Sequence, residues 1–336
     1  MDPVTQGALG AAVALTKARP KQLTGAALFG ALAGMAPDLD VLIRSSNDPL
    51  LFLEYHRQFT HSVLFIPIGA LLCALVLSPV FGKHFGLKFS SAYLFCLLGY
   101  ATHGLLDACT TYGTLLLWPV SEQRFAWNVL SIIDPLVTLP LLVGVFWTLR
   151  SKSSAMVLLA LAWFGSYVAL GMMQRDRAEA LALTLAQARG HSPMRLEAKP
   201  SFANLLVFKT VYETNNRFYV DAVHVGFHTK IYQGESVAKL DVGRDFAWLD
   251  SESQQARDIE RFRWFSNDYL ALDQQEANRV IDIRYSLLPN DINALWSIQL
   301  EPGASSDAHV SYQMHRGDSR AALPTLWAMV TGADID

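Results

Sequence analysis

Cysteine is scarce in this chain. Among 336 residues only Cys73, Cys96 and Cys109 occur, all in apolar stretches and none in a Cys-x-x-Cys pair. That excludes a disulfide framework and a zinc finger. Charge is scarce as well. Asp, Glu, Lys and Arg make up 17% of the residues, against roughly 25% in ordinary soluble domains. With 51% hydrophobic residues the chain is not a disordered one. A net charge of −3 gives no overall basic footprint, so nucleic acid is not an expected partner.

The scarcity of charge is uneven. Residues 1–174 hold 10 Lys/Arg and 8 Asp/Glu, and residues 175–336 hold 17 and 22. The length suggests about two domains, and the charge split places the boundary. Residues 1–174 read as an α-helical, membrane-embedded bundle. Residues 175–336 read as a water-soluble, mainly β (α+β) domain.

Four apolar segments, Ser62–Phe81, Ser90–Ala108, Ile133–Leu149 and Ala155–Met173, have about the length that crosses a bilayer. Two shorter ones, Val4–Thr16 and Leu23–Ala36, flank the basic run Lys17-Ala18-Arg19-Pro20-Lys21. Neither reads as a signal peptide, because the basic residues follow the first apolar run instead of preceding it. Six crossings are expected. Ala26, Gly30 and Gly34, like Gly7 and Ala11, repeat every four residues, a spacing that lets membrane helices approach closely.

Six crossings put Lys17, Arg19, Lys21, Lys83, Lys88, Arg150 and Lys152 on one face, with no acid among them. The positive-inside rule makes that face cytoplasmic. Loops 37–61 and 109–132 and the whole C-terminal domain are then expected outside a bacterial inner membrane. In that domain, runs at Leu205–Tyr212, Arg217–Val225, Lys230–Gln233, Glu260–Phe265, Arg279–Tyr285, Ala294–Leu300 and Val310–His315 read as strands between turn signals. Asp176–Arg189 reads as a surface helix leaving the membrane and Ala321–Val330 as a terminal one. The histidines of this domain read as surface or packing residues.

The chemistry gathers elsewhere. Asp38 and Asp40 follow one apolar helix, and His56, Arg57 and His61 precede another. His103 and Asp107 share a face inside a third, one turn apart. Asp134 opens a fourth. Ionisable groups in membrane helices are costly and usually functional, and the expected topology brings all four groups to the outer face. Histidine and aspartate together suit Zn²⁺, with Mn²⁺ or Fe²⁺ as alternatives. The expected ligands are Asp40, His61, His103 and Asp107, with His56 and Asp134 as further ligands or their supports. Asp38 is expected to handle protons, and Arg57 to hold an anionic group bidentately.

At these residues a family resemblance becomes visible. MDPVTQGALGAA, GMAPDLD, HRQFTHS, THGLLD, TTYGT and SIIDPL, spread over residues 1–150, resemble the YdjM-type family of inner-membrane, metal-dependent hydrolases. The tail is similar to the extension of its longer members. The His/Asp pattern is also similar to that of helical zinc-dependent phospholipases C and the nucleases related to them, which implies phosphoester chemistry. Many short members carry Thr-His where this chain has Thr5-Gln6. The resulting expectation is a membrane hydrolase acting on a lipid or lipid-linked phosphoester, among membrane lipids. The alternative is a non-enzymatic, metal-stabilised scaffold or regulatory partner-binding protein.

Overall fold

A computed structural model describes residues 1–315 and 317–335. The chain forms two compact units. One comprises Met1–Leu42 and Tyr55–Met173, and the other Ile43–Glu54 and Gln174–Asp336.

The first unit is helical. Helix α1 (Pro3–Leu15) starts at Asp2, whose carboxylate accepts the Thr5 amide at 3.0 Å, with proline at the first position. Both features favour a helix start. Helix α2 (Leu23–Met35) continues into the 3-10 turn Ala36–Leu42. After the short α3 (Leu51–Tyr55), most of which belongs to the second unit, come α4 (Ile66–Leu77), α5 (Phe89–Ala108), α6 (Pro135–Ser151) and α7 (Ala155–Ala188), the last belonging to this unit as far as Met173.

Among the described residues, four stretches are long and apolar enough to cross a membrane: Leu23–Leu42, Val63–Gly82, Phe89–Ala108 and Ala155–Ala188. Helices α1 and α6 are apolar but shorter, with 13 and 17 residues. Two expectations change here. The segment beginning at Leu23 gains length from its terminal turn. The one expected from Ile133 starts later, because the Asp134 carboxylate accepts the Leu136 amide at 3.0 Å and caps the helix.

Small residues bind α1, α2 and α5 together. A Cβ on Gly30 would lie 2.5 Å from the Gly10 carbonyl oxygen, and one on Gly99 would lie 2.2 Å from the Gly30 oxygen. The backbones therefore touch, as helices do where no hydrophobic drive separates protein from lipid. The outer surfaces carry exposed Leu72, Leu75 and Val76 on α4, Leu139, Val143 and Phe146 on α6, and Leu158 and Leu159 on α7. Such a surface fits hydrocarbon and would aggregate in water.

The second unit carries two antiparallel sheets. Strands β1 (Arg195–Pro200), β2 (Val207–Glu213), β3 (Arg217–Val225) and β4 (Thr229–Tyr232) pair in sequence order, and β5 (Ser236–Ala238) joins β3. After the short α8 (Val242–Asp245) and α9 (Gln254–Phe265), strands β6 (Leu270–Leu272), β7 (Arg279–Asp282), β8 (Trp296–Gln299) and β9 (Ser311–Met314) form the second sheet. Helix α10 (Ser319–Thr331) follows. Buried Val211, Phe218 and Val220 pack with Tyr269, Ile281 and Ile283 into one core.

Two sequence expectations are corrected in this unit. Glu260–Phe265 is the end of α9, not a strand. Ser253 caps that helix, and Ile259, Phe262 and Phe265 bury at helical spacing. The helix expected over Asp176–Arg189 is present, as the end of α7, which runs unbroken to Ala188. Segment Ile43–Glu54, expected as part of a membrane loop, belongs to this unit. The Arg261 guanidinium donates to both Asp48 oxygens, at 3.0 and 2.8 Å, and to Glu54 at 2.5 Å. Four of the unit's histidines serve packing or hydrogen bonding. His224 faces the Met329 carbonyl, His309 faces Asp258, His315 faces Ser297 and His191 faces Tyr212.

Candidate metal centre

Four segments of the helical unit converge. The turn after α2 supplies Asp38 and Asp40. The segment before α4 supplies His56, Arg57 and His61. Helix α5 supplies His103 and Asp107 on one face, and α1 supplies Gln6. Glycines set how closely they meet. A Cβ on Gly104 would lie 2.3 Å from the His61 carbonyl oxygen, so the His61 backbone rests on α5. Tyr100 Oη donates to the Thr60 carbonyl at 2.9 Å, and the Val63 amide to the Leu116 carbonyl at 2.9 Å. Arg57 sits at φ 66°, a left-handed conformation that costs a non-glycine residue about 1–3 kcal/mol. There its amide donates to Asp40 Oδ2 at 3.0 Å.

At the centre, His61 Nε2 and His103 Nε2 face each other at 2.9 Å. Asp38 Oδ1 lies 3.5 and 3.4 Å from them. Asp107 Oδ2 lies 3.3 and 3.7 Å from them. His61, His103 and Asp107 are buried.

The protons can be placed by chemistry. His103 Nδ1 meets the Gly34 carbonyl oxygen at 2.6 Å. A carbonyl only accepts, so Nδ1 carries the hydrogen and Nε2 of the neutral ring presents a lone pair. His61 Nδ1 lies 3.0 Å from Thr60 Oγ1 and 3.3 Å from Asp40 Oδ2. Thr60 spends its own hydrogen on Asp40 Oδ2 at 2.9 Å, so His61 Nδ1 is also the donor. Two imidazole lone pairs and two carboxylate oxygens then converge. Asp107 Oδ2 accepts no hydrogen bond among the described residues.

Such an array is repulsive unless a cation sits within it. The donor set, two neutral imidazoles and two carboxylates, is one that divalent metals take. When no ion is bound, a proton serves. Burial pulls the His61 imidazole down, but the facing carboxylates of Asp107, Asp38 and Asp40 override it and raise it to about 10.

The structure distributes the expected site residues differently from the sequence. Asp38, expected to carry protons, presents an oxygen to the four-donor group. Asp40, expected as a ligand of that group, has both oxygens engaged by the protein. Oδ1 meets His56 Nδ1 at 2.7 Å, and Oδ2 takes Thr60 and the Arg57 amide. Asp38, Asp40 and His56 form a second, smaller group of potential metal donors. Arg57 is buried, with Nε 3.2 Å from Asp107 Oδ2 and Nη1 donating to Thr110 Oγ1 at 3.3 Å. Its guanidinium carbon lies 4.9 Å from the centre of the Tyr112 ring. It is therefore committed to the protein and not free to clamp an anion.

Asp134 lies in neither donor group. Its carboxylate caps α6 and accepts Tyr167 Oη at 2.9 Å, which satisfies it structurally. Gln6 was not among the expected site residues. It is fully buried, and Nε2 donates to Asp107 Oδ1 at 2.9 Å. The amino nitrogen of Met1 also contacts that oxygen. The sequence signal for Gln6 is the resemblance given above, in which Thr5-Gln6 stands where a Thr-His pair is expected.

Comparisons with known proteins bear on this same region. Residues 1–178 match the family described as YdjM inner membrane protein. Inner membrane protein YbcI of Escherichia coli (strain K12) is 33% identical over 108 residues, which cover 31% of this chain and 60% of that relative. The chain thus spans less than two thirds of the relative's length. No solved structure matches. The family match covers more than half of the chain and includes every residue of both donor groups, so the chain belongs to the YdjM inner membrane protein family.

Proposed function

We propose that this protein is a membrane-bound, metal-dependent hydrolase acting on a phosphoester of a lipid or lipid-linked substrate, with zinc as the ion and manganese or iron as alternatives. One observation carries the reading: two imidazole lone pairs and two carboxylate oxygens converge in a buried site at the ends of apolar helices. Asp38, His61, His103 and Asp107 would hold the ion. An ion held there would supply Lewis-acid chemistry for hydrolysis, activating water near neutral pH.

The rest falls to the chain's own groups. Asp40 and the Gly34 carbonyl fix the tautomers of His61 and His103, the support that metal-binding histidines generally have. Arg57 orients Asp107. His56 is the proton carrier: it is part-exposed, with 21% of its side chain open, and Nδ1 is held by Asp40. That leaves Nε2 to exchange a proton with a reacting group. An amphiphilic substrate suits the surroundings, because exposed Leu39, Leu42, Val63 and Leu64 flank the site residues in sequence.

The basic loops argue for a site on the extracytoplasmic side. A reporter fused after Lys152 is expected to read as cytoplasmic, and one fused after Arg189 as external. A cytoplasmic readout from the Arg189 fusion reverses the proposed topology.

The activity is tested by screening metal-replete, detergent-purified protein against a panel of lipid phosphoesters. Hydrolysis that stops with a chelator and returns with the ion is expected. No turnover across the panel, together with metal-dependent capture of a protein partner, would replace the hydrolase by a scaffold.

A further inference from the structure

Met173 ends an apolar run of α7, and Gln174 begins the second unit. The run, Ala155–Met173, carries no charge. At 1.5 Å per residue it covers roughly 28 Å, close to the ~30 Å of a bilayer's hydrocarbon core. Gln174-Arg175-Asp176-Arg177 follows with no break in the helix. By chain connection alone, Gln174 marks the level at which α7 leaves an apolar medium.

The first sheet is tied to α7 in a definite order. Gln174 is buried, and its Nε2 donates to the Leu205 and Val225 carbonyls, each at 3.0 Å. Arg177 Nη1 donates to the Val225 carbonyl at 2.9 Å, and its Nη2 to the Gly226 carbonyl at 3.0 Å. Further along, Ala178 shares a buried cluster with Phe208 and Val223. Arg189 donates to both Asp221 oxygens, at 2.6 and 2.9 Å. Gln174 and Arg189 lie roughly 22 Å apart along the helix. The helix therefore runs beside β3 in the opposite direction. The sheet end made by the β1–β2 loop (201–206) and the β3–β4 hairpin (226–228) is the one level with Gln174.

That end is apolar. Phe227 forms the apex of the hairpin, between the paired residues Val225 and Thr229, and is fully exposed. Phe202 is half-exposed and Leu206 partly so. Neither loop contains an acid, whereas the turn at the far end of the sheet reads Glu213-Thr214-Asn215-Asn216-Arg217. Loop 201–206 also pairs its own backbone. Asn204 Nδ2 donates to the Phe202 carbonyl at 2.9 Å, and Oδ1 accepts the Leu206 and Val207 amides at 2.8 Å. Polar groups paired in this way can leave water at little cost.

We infer that this end of the sheet rests in the lipid interface, with Phe227 and Phe202 inserted beside the point where α7 leaves the bilayer. Position decides the occupant. Val225 is bonded to Gln174, and β3 is travelling toward that end. Phe227 lies two residues further on, up to about 7 Å beyond at a strand's rise per residue. Its ring is thereby carried past the first polar residue of α7 to the level of the helix's apolar end. Interfacial anchors reach about 5–10 Å into the boundary between headgroups and acyl chains, which is the depth this offset provides. Exposed aromatic rings on an acid-free surface suit that boundary, and in water they would form an aggregation-prone patch. A domain joined to a membrane by one helix can tilt about it. The two loops add contacts that fix its inclination. This surface is independent of the chemistry at the metal centre.

The test uses the full-length protein in vesicles of phosphatidylethanolamine and phosphatidylglycerol. Photoreactive p-benzoylphenylalanine is placed at position 227, at 202 or, as the control on the far turn, at 215. Irradiation of the 227 and 202 proteins is expected to add the mass of a phospholipid several-fold more often than irradiation of the 215 protein. Should one of the two variants fail to fold, the other suffices, because they lie on different loops. In a second arm, Phe227→Asp is combined with the probe at 202. A carboxylate at the apex favours water, so the lipid adduct at 202 should fall several-fold.

Equal phospholipid labelling at 227 and 215, or none at 227 and 202, would overturn the membrane contact. Adducts of twice the protein's mass in place of lipid would reassign the surface to a second copy of the chain.

Discussion

Replacing His103 by alanine is expected to strip the protein of its metal while leaving it in the membrane. His103 supplies one of two nitrogens in a four-donor set, and its Nδ1 is pinned to the Gly34 carbonyl. Alanine removes the donor, leaves that carbonyl without its partner and creates a small cavity at a tight helix contact. It does not lower the apolar character of α5, so insertion should persist. Loss of a residue that only supports a ligand typically costs about 10–100-fold in metal affinity. Loss of the ligand itself should exceed that and abolish stoichiometric binding after purification. Asp40→Asn, which weakens the support of His61 but removes no member of the four-donor set, should fall in the 10–100-fold range. Elemental analysis of detergent-purified wild type and both variants is the check, with circular dichroism to confirm helix content. Full metal occupancy in His103→Ala would reduce the cluster to a buried hydrogen-bonded array.

His56→Gln is expected to do the reverse, keeping the ion and losing turnover. The ring lies outside the four-donor group, against Asp40 Oδ1 at 2.7 Å. Glutamine can still hydrogen-bond to Asp40 but cannot relay a proton through a second ring nitrogen. The rate should fall about 10²–10⁴-fold, the usual contribution of general acid–base catalysis, with metal content near the wild-type value. Asp38→Asn is the contrasting variant. From spacing alone Asp38 is the natural proton carrier, two residues from Asp40. In the fold its Oδ1 lies 3.4–3.5 Å from both Nε2 atoms. That substitution should therefore lower metal content first and rate as a consequence. If Asp38→Asn keeps its metal and loses only rate, the two roles must be exchanged. A His56→Gln enzyme with unimpaired turnover would remove histidine from the proton path.

The charge split near residue 174 and the long apolar runs were legible in the sequence because membrane insertion depends on local composition. The β-rich character of the tail was legible from alternating runs and turn residues. Spacing placed His103 and Asp107 on one helix face, since that relation lies within a single helical turn. The strand expected at Glu260–Phe265 failed for an equally local reason. A short apolar run fits both periods, and only the cap at Ser253 together with burial of Ile259, Phe262 and Phe265 selects the helix.

The sequence by itself determined which half meets lipid, which residue types could bind a metal, and that they lie at helix ends. The tertiary structure decided which of those residues share one point. Asp38 and Asp40 both precede the same chain reversal, and nothing in their spacing says which will face His61 and which will support it from behind. That choice is made by the contact of Gly104 with the His61 backbone, by the Thr60 hydroxyl and by the Arg57 amide held at positive φ. Asp134 goes to a helix cap and Tyr167, and Gln6 reaches Asp107 across 101 residues of sequence. The physical reason is the same throughout. A donor set of this size is an intersection of segments, and its membership depends on backbone distances between helices, which small residues set at their crossings.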